Sequence, residues 1–195
     1  MKSLQERLDL ILDRIDNPKF LNSDGLGNEI GFWIFDYPSK EEVRVREHIS
    51  YLQDKLLQRG KTFLVLNLFQ VIIDMLESRK LLDRTFQREL QVGSESLITT
   101  LKAPLSQEKI AKFISQNHQL DKQDFVILSG LGSAWPLIRG HEVLSALQDV
   151  MGNTPLLLFY PGEYSGLDLH LFGKIESQNY YRAFKLVPEH NLSNA

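Results

Sequence analysis

The stretch QDFVILSGLG, residues 123–132, indicates which fold class the chain adopts. Its centre, FVIL, is a short apolar run containing β-branched residues, which is typical of a strand buried on both faces. Glycines follow the run, and a helical pattern then covers roughly residues 139–150. An apolar strand that leads through glycines into a helix is the repeating unit of α/β proteins.

Three further runs have the same character: IGFWIFDYP (residues 30–38), KTFLVLNLF (61–69) and TPLLLFYPG (154–162). Helical patterns separate the four runs, so we predict an α/β fold whose mostly parallel central sheet is flanked by helices on both faces. The tail contains two shorter runs, LDLHLF (167–172) and NYYRAFKLV (179–187), with no room between them for a crossover helix. We expect these to form an antiparallel C-terminal ribbon. A linker is not evident, and residues 1–195 are predicted to form one domain.

The helix boundaries follow from capping and breaking residues. An amphipathic helix ending near Asn17-Pro18 is indicated by the apolar spacing of Leu4, Leu8, Ile11 and Ile15. Ser39 and Glu42 have the spacing of a capping box, which predicts a helix that begins there and ends at Gly60. Residues 69–118 are helical in pattern, with two or three helices broken near Ser78 and within residues 91–106.

The composition limits the classes of function. The chain has 195 residues, a formal net charge of −3 and no cysteine. A slightly acidic chain has no general attraction for nucleic-acid phosphates or anionic lipid, so DNA binding would require a local basic patch. The absence of cysteine excludes disulfides, thiolate catalysis and cysteine-ligated metals. Because the sequence lacks both a membrane-length apolar run and the apolar core of a signal peptide, we expect a soluble cytoplasmic protein.

The tripeptide Gly60-Lys61-Thr62 matches the end of a Walker A phosphate-binding loop. That loop needs an earlier glycine, where this chain has Lys55, and it lies between a strand and the helix that follows. Here the order is reversed, so the tripeptide lies at a helix C-terminus, whose partial negative charge repels phosphate. We interpret Gly60 as the left-handed residue that ends the helix, and we predict no nucleotide site there.

Other motifs for binding or catalysis are incomplete. The loop SGLGSAWP lies where open α/β sheets bind ligands, but Trp135 and Pro136 would crowd a phosphate. A tight turn is the favoured interpretation, and a degenerate nucleotide or metal site at Gly130–Ser133 is the alternative. Asp168 and His170 would project from one face of a strand as a possible acid–base pair, although a solvated surface is the commoner explanation. Nuclease, nucleophile-elbow and metal-ligand spacings are missing, so we predict no catalytic residue, no metal site and no cofactor.

Two surface patterns concern binding. Arg79, Lys80, Arg84 and Arg88 lie close together in the sequence. Acidic residues are interleaved with them, which usually indicates a solvated helix face, and contact with DNA is the alternative. Aromatic residues recur beside the predicted loops, and core packing is the default interpretation for each. Any that are exposed at the strand ends would suit a protein interface.

Three stretches are together similar to one protein family. FDYPSKEEVRVREHI (residues 35–49) looks like its F-D-Y-P…V-R signature. GLGSAWPLIRGHEVLSAL (130–147) resembles its glycine, proline and arginine loop before a helix. PLLLFYPGEYSGLDLHLFGKIESQNYYRAFKL (155–186) is similar to its C-terminal block, which is the most specific part. The family is BrxB, small proteins encoded within BREX bacteriophage-exclusion systems.

The resemblance implies a cytoplasmic component of a phage-defence assembly. Such systems also contain a large ATPase, a PglZ protein and an adenine-specific DNA methyltransferase, and the family supplies no catalytic residues. The favoured hypothesis is therefore a non-enzymatic scaffold subunit, for which the PglZ protein is the first-choice partner and the ATPase and methyltransferase subunits are the alternatives. The candidate contact residues are Tyr37, Pro38, Trp135, Pro136, Arg139, Tyr160, Pro161, Gly162 and Tyr164. The alternative is a DNA-binding module that uses Arg79, Lys80, Arg84 and Arg88.

Overall fold

The four apolar runs of the sequence become four neighbouring strands of one sheet in the computed structural model, which describes residues 1–22, 31–176 and 183–190. These strands are parallel and lie in the order β2-β3-β4-β1, with the short β7 paired to the outer side of β1. Their bounds are β1 (Phe32–Tyr37), β2 (Phe63–Asn67), β3 (Phe125–Ser129), β4 (Leu156–Tyr164) and β7 (Phe184–Lys185). The α/β prediction with a mostly parallel sheet is confirmed.

The C-terminal ribbon forms at the end of β4. Strand β5 (Leu169–Leu171) pairs antiparallel with the last residues of β4, and β6 (Ile175–Glu176) pairs antiparallel with β5. The second predicted run behaves differently, because β7 is parallel to β1 and Phe184 lies opposite Trp33. Our expectation that this run is antiparallel is therefore wrong for its described part: β7 joins the main sheet instead of the hairpin that precedes it. The tyrosines at the start of that run lie outside the described residues.

Helices cover both faces of the sheet and enclose two cores. One core lies under the helices α1 (Leu4–Asp9), α2 (Ile11–Ile15), α3 (Pro18–Leu21) and α4 (Glu42–Gln58). The other lies under α5 (Leu68–Ser78), α6 (Leu82–Leu101), α7 (Gln107–Asn117), α8 (Leu131–Ala134) and α9 (Gly140–Met151). Alternate strand residues supply the two cores, as with Ile34 and Phe35 in β1.

Several helix boundaries differ from the prediction. The predicted N-terminal helix is divided into two short helices, α1 and α2, and α3 begins at Pro18, beyond its predicted end. A capping box forms at the start of α1, where Ser3 and Glu6 bond reciprocally. The predicted capping box at Ser39 is wrong: Ser39–Glu41 is a 3₁₀ turn, and the first residue of α4, Glu42, follows without a side-chain cap. The helix itself ends where predicted, before Gly60, whose φ is 70°.

The connection between β2 and α5 is also shorter than the sequence indicates. The strand ends at Asn67, whose Oδ1 accepts hydrogen bonds from the backbone N–H groups of Phe69 at 3.0 Å and Gln70 at 3.2 Å. This side-chain cap begins the helix inside the predicted strand. Among the helices that the structure describes, none has the length and apolar character needed to cross a membrane.

Candidate functional site

The carboxyl ends of β1 and β4 open into a cleft of about 560 Å³. The two strands are parallel neighbours, so their ends meet at the same edge of the sheet, which is where open α/β sheets place their binding sites. Walls of the cleft come from the loop after β1, the end of β4, the ribbon and the residues around β7. Segments that are far apart in the sequence therefore meet at one place.

A buried ion cluster lies beside this cleft. Asp36, at 3% exposure, accepts a hydrogen bond at 2.6 Å from Arg7 Nη2 to its Oδ1. Its Oδ2 lies 2.8 Å from Lys185 Nζ and accepts the backbone N–H of Tyr164 at 3.1 Å. Arg7 is equally buried and donates from Nε to the Val187 carbonyl at 3.0 Å. The cluster joins α1, β1, β4 and the chain around β7.

Both carboxylate oxygens of Asp36 already have bonding partners, and this fact indicates the role of the cluster. A carboxylate whose oxygens are already occupied by cations and a backbone N–H is held in place, and it positions its surroundings. Arg7 also lies with its guanidinium carbon 4.8 Å from the centre of the Phe35 ring. We interpret the cluster as the support that fixes the loops around the cleft.

Tyr37 reinforces the turn that leads from β1 into α4. Its side chain is 2% exposed, and its hydroxyl donates to Glu42 Oε2 at 2.5 Å. Burial, followed by this hydrogen bond and the carboxylate's charge, raises the pKa of Tyr37. Glu42 also accepts from Arg46 Nε at 3.0 Å, which explains why its carboxylate does not cap the helix.

The predicted contact residues fall into two groups. The buried ones are Tyr37, Tyr160, Pro161, Gly162 and Tyr164, while Pro38, Trp135 and Arg139 are exposed and Pro136 is half-buried. The buried side chains pack beneath the surface and offer a partner little area. The exposed ones lie in two places, at the cleft and on the loop between α8 and α9. The interface itself stays a prediction.

The four basic residues of the alternative prediction are all exposed, at the end of α5 and in the first half of α6. One of them, Arg79, donates from Nη1 to the Pro104 carbonyl at 2.9 Å. The same part of α6 exposes Phe86 at 53% and Leu90 at 82%. This apolar pair was not predicted from the sequence, although its spacing of four residues is visible there.

The glycine motifs have structural explanations. A Cβ added at Gly60 would meet no atom within 4 Å, so its left-handed φ alone accounts for the glycine. Gly130 has a φ of 75°, and a Cβ there would lie 2.4 Å from Asn67 Oδ1. The helix that follows, α8, spans only Leu131–Ala134, so this turn lacks the long helix of a phosphate cradle.

Asp168 and His170, which were predicted to project from one face of a strand, lie in different local structures. Asp168 lies in the turn before β5, while His170 lies within β5 and is paired across the ribbon with Glu163. Within residues 1–22, 31–176 and 183–190, there is no group of three or more histidine and carboxylate side chains that could hold a metal ion.

The cluster of Arg7, Asp36 and Lys185 was not found by sequence reasoning. Its one visible signal was an acidic residue inside the apolar strand FWIFDY. A charged side chain that is fully buried needs partners, so Asp36 could have been flagged. Its two cations come from opposite ends of the chain, and no local pattern connects them.

Comparisons with known proteins extend this description. A family model described as "BREX protein BrxB" matches residues 64–186. A relative from Escherichia coli O9:H4 (strain HS), described as BREX protein BrxB, is 56% identical over 186 residues, covering 95% of this chain and 92% of the relative. Another with the same description, from Bacillus cereus (strain H3081.97), is 38% identical over 192 residues, covering 96% of this chain and 99% of the relative. No solved structure matches the chain.

Proposed function

The chain belongs to the BrxB family of BREX proteins, and from this premise we propose that it is a non-catalytic interaction subunit of an anti-phage defence complex. Membership makes it a BREX-system protein with a role in phage defence. The proposal adds that it works by binding other proteins of the system, with the PglZ protein as the partner we expect first. The ATPase and methyltransferase are the next candidates.

The observation that carries the proposal is the exposed apolar pair on α6. Phe86 and Leu90 are one helical turn apart, so they lie on the same side of the helix. Adjacent large apolar side chains with this much exposure are a feature of protein interaction sites. Phenylalanine is also among the side chains that are enriched in protein interfaces relative to the rest of the surface.

The basic residues of α6 occupy a different side of the helix. Arg84 and Arg88 are each two positions from Phe86, and residues two apart on a helix do not face each other. A protein partner held by the apolar pair and a DNA backbone held by the arginines would therefore approach different flanks. The two functions can be separated by substitution.

The test is co-purification of the full-length chain with tagged PglZ protein, ATPase or methyltransferase from the same system. We expect the wild-type chain to be retained by at least one of them. Phe86→Ser with Leu90→Ser should weaken retention by tenfold or more, because loss of a buried apolar anchor costs roughly 2 kcal/mol or more. A matched control is Leu57→Ser on α4, where Leu57 is 64% exposed.

The outcomes separate the alternatives. Loss of retention in the α6 double variant, with retention unchanged in the Leu57 variant, supports the apolar pair as a contact. Trp135→Ala and Pro38→Ala test the two exposed places of the predicted contact set in the same assay. Elution of the wild-type chain alone in every pairwise mixture contradicts the scaffold function.

A DNA-binding module is the second candidate, favoured by the exposure of all four basic residues at the α5–α6 junction. It predicts DNA affinity that falls steeply with added salt, because each phosphate contact releases counterions. Arg84→Glu with Arg88→Glu should abolish a gel shift at low ionic strength and leave co-purification intact. No shift by the wild-type chain at low salt removes this candidate.

A further inference from the structure

A groove of about 430 Å³ lies between the N-terminal helices α1 and α2 and the longer helix α4. Three leucines form its apolar part, and the rest of its lining consists of Gln5, Asp9, His48 and Tyr51. Among the residues that the structure describes, this lining includes one carboxylate and no lysine or arginine. The groove therefore suits a positively charged group that is carried on an apolar stem.

His48 contributes a hydrogen-bond acceptor that has no donor. Its ring hydrogen-bonds to the Leu8 backbone, while Nε2 is buried and has no partner among the described residues. Burial lowers the pKa of His48, with Asp9 and the bond to Leu8 opposing that effect, so the ring is neutral above about pH 6.5. A neutral imidazole that donates from Nδ1 to a carbonyl has an acceptor at Nε2. A buried acceptor without a donor calls for an explanation, and an incoming N–H group supplies one.

Asp9 provides the negative charge of the groove. Gln5 Nε2 donates to Asp9 Oδ1 at 2.6 Å, and no described group forms a hydrogen bond with the other carboxylate oxygen. Arg44 also approaches this surface, but its Nη2 donates to Gln5 Oε1 at 2.5 Å and its Nη1 lies 3.8 Å from Glu41 Oε2. Asp9 Oδ2 therefore remains available to a further cation.

Tyr51 adds an aromatic ring to the groove. Its side chain is 48% exposed, and its ring centre lies 5.5 Å from that of His48. Lys55 Nζ lies 5.6 Å from the centre of the same tyrosine ring, so this ring already attracts one cation. Because Tyr51 is exposed, it can turn away from the imidazole and open a path to Nε2. Side-chain rotations of this kind accompany many binding events.

We propose that this groove binds an arginine side chain of a protein partner. The guanidinium donates to Asp9 Oδ2 and His48 Nε2 and packs on Tyr51, while its stem lies on the leucines. Arginine fits better than lysine, because its planar group has five N–H donors and stacks on aromatic rings. The inference rests on the proposed role as an interaction subunit, and it adds a contact on the side of the sheet that faces away from α6.

The test is an NMR titration of the full-length chain with a blocked arginine, N-acetyl-arginine amide. We expect saturable shifts of the signals around His48 and a dissociation constant of about 1–10 mM, because one side chain makes only a few of a partner's contacts. Asp9→Asn should weaken binding about tenfold, because it removes the charged acceptor. The matched control is Asp13→Asn on α2: Asp13 is exposed and does not line the groove, so the same loss of charge should leave the affinity unchanged.

His48→Asn tests the role of Nε2 separately from the packing of the ring. The asparagine amide can donate to the Leu8 carbonyl in place of Nδ1, and nothing replaces Nε2. The affinity for blocked arginine should fall about fivefold, because one hydrogen bond is lost. Amide signals far from the groove should keep their wild-type positions, which shows that the variant is folded.

Blocked citrulline, which has the shape of arginine without its charge, should bind at least about tenfold more weakly. Equal binding of citrulline and arginine, affinity unchanged in both Asp9→Asn and His48→Asn, or no shift at about 50 mM blocked arginine overturns the proposal. Tighter binding of free arginine than of the blocked residue would assign the groove to a free amino acid. Self-association that is lost in Asp9→Asn would assign it to a second copy of this chain. Either result contradicts a separate protein partner. Because the titration uses only the chain and the probe, its failure leaves the co-purification test unaffected.

Discussion

At the scale of single residues, Asp36 bonds to groups from three separate segments of the chain, around Arg7, Tyr164 and Lys185, which its neighbours in the sequence do not indicate. We predict that Asp36→Asn lowers the free energy of unfolding by about 3–5 kcal/mol, because it leaves two cations beside an uncharged amide in a buried site. Arg7 is the main source of this cost, since its side chain is only 4% exposed. Urea denaturation followed by circular dichroism measures the change.

The control for that substitution is Asp83→Asn on the exposed start of α6. A surface substitution of this kind should change stability by no more than about 0.5 kcal/mol. A loss below 1 kcal/mol for Asp36→Asn would show that the cluster contributes little to holding the termini on the sheet.

Predictions about single residues were correct where the structural cause lies in the residue's own backbone. They failed where the cause is a contact with a residue that is distant in the sequence. Gly60 was interpreted correctly because a left-handed helix end depends only on its own backbone. Core packing was the default interpretation for Tyr37 and Tyr160, and both are buried. The neighbours of Tyr160 could not be predicted, because Gly140 meets its ring only through the tertiary fold.

At the scale of elements, α6 contains a break that depends on one residue. Gly93 has φ 78° and ψ 165°, a backbone region that is essentially restricted to glycine. A Cβ at this position would meet no atom within 4 Å, so the constraint is conformational and not steric crowding by neighbours. We predict that Gly93→Ala lowers the free energy of unfolding by about 1–3 kcal/mol, measured by urea denaturation.

Gln91→Ala, two positions earlier in the same helix, is the matched control. Gln91 is exposed, and alanine is at least as good a helix former, so stability should stay the same or rise slightly. An increase in stability for Gly93→Ala would mean that the two halves of α6 prefer to form one straight helix.

The packing of α4 against α1 predicts a pH dependence. Burial lowers the pKa of His48, while Asp9 and a hydrogen bond to the Leu8 backbone oppose that effect. A histidine whose folded pKa lies below its unfolded value stabilises the fold above about pH 6.5, and this contribution is lost as the pH falls through the folded pKa. The free energy of unfolding should therefore decrease between pH 7 and pH 5.

Denaturation curves at several pH values measure this effect, and His48→Gln should flatten it. The pKa of His141 is also lowered by burial, so part of the slope should persist in the His48 variant and disappear in the double variant with His141→Gln. An unchanged slope in both variants would assign the dependence to carboxylates.

The positions of the four main strands could be predicted from the sequence, but the residue at which β2 ends and the direction of β7 could not. Each apolar run became a strand because a sheet covered on both faces requires continuous apolar residues. The end of β2 depends on the side chain of Asn67, and the direction of β7 depends on its place beside β1. Tertiary contacts decide both features.

At the scale of the whole molecule, the sheet unites two cores, and the first residues of the chain contact the last segment that the structure describes. The backbone N–H of Lys2 donates to the Glu189 carbonyl at 2.9 Å, close to the ion cluster at Asp36. Adjacent residues of the central strands point into opposite cores, as Leu157 and Leu158 do in β4. Because the two cores share the same strands, unfolding of the strands that cover one core also exposes the other core to solvent.

This arrangement predicts that the described parts of the chain unfold in a single transition, which also tests the assignment of one domain. Trp33 lies 5.7 Å from Phe20 and 5.4 Å from Phe184, measured between ring centres, and so reports on the face covered by α1–α4. Trp135 is 40% exposed and lies 6.2 Å from Phe172, which packs against the other core. The two tryptophans are the only ones in the chain, so Trp33→Phe and Trp135→Phe each leave one fluorescent reporter.

Each variant's fluorescence midpoint in urea should coincide with its own circular dichroism midpoint, because a shared sheet makes the two cores interdependent. An earlier midpoint for Trp33 fluorescence would mean that the N-terminal helices and β7 separate first, and that the ion cluster holds a detachable layer on an otherwise stable body.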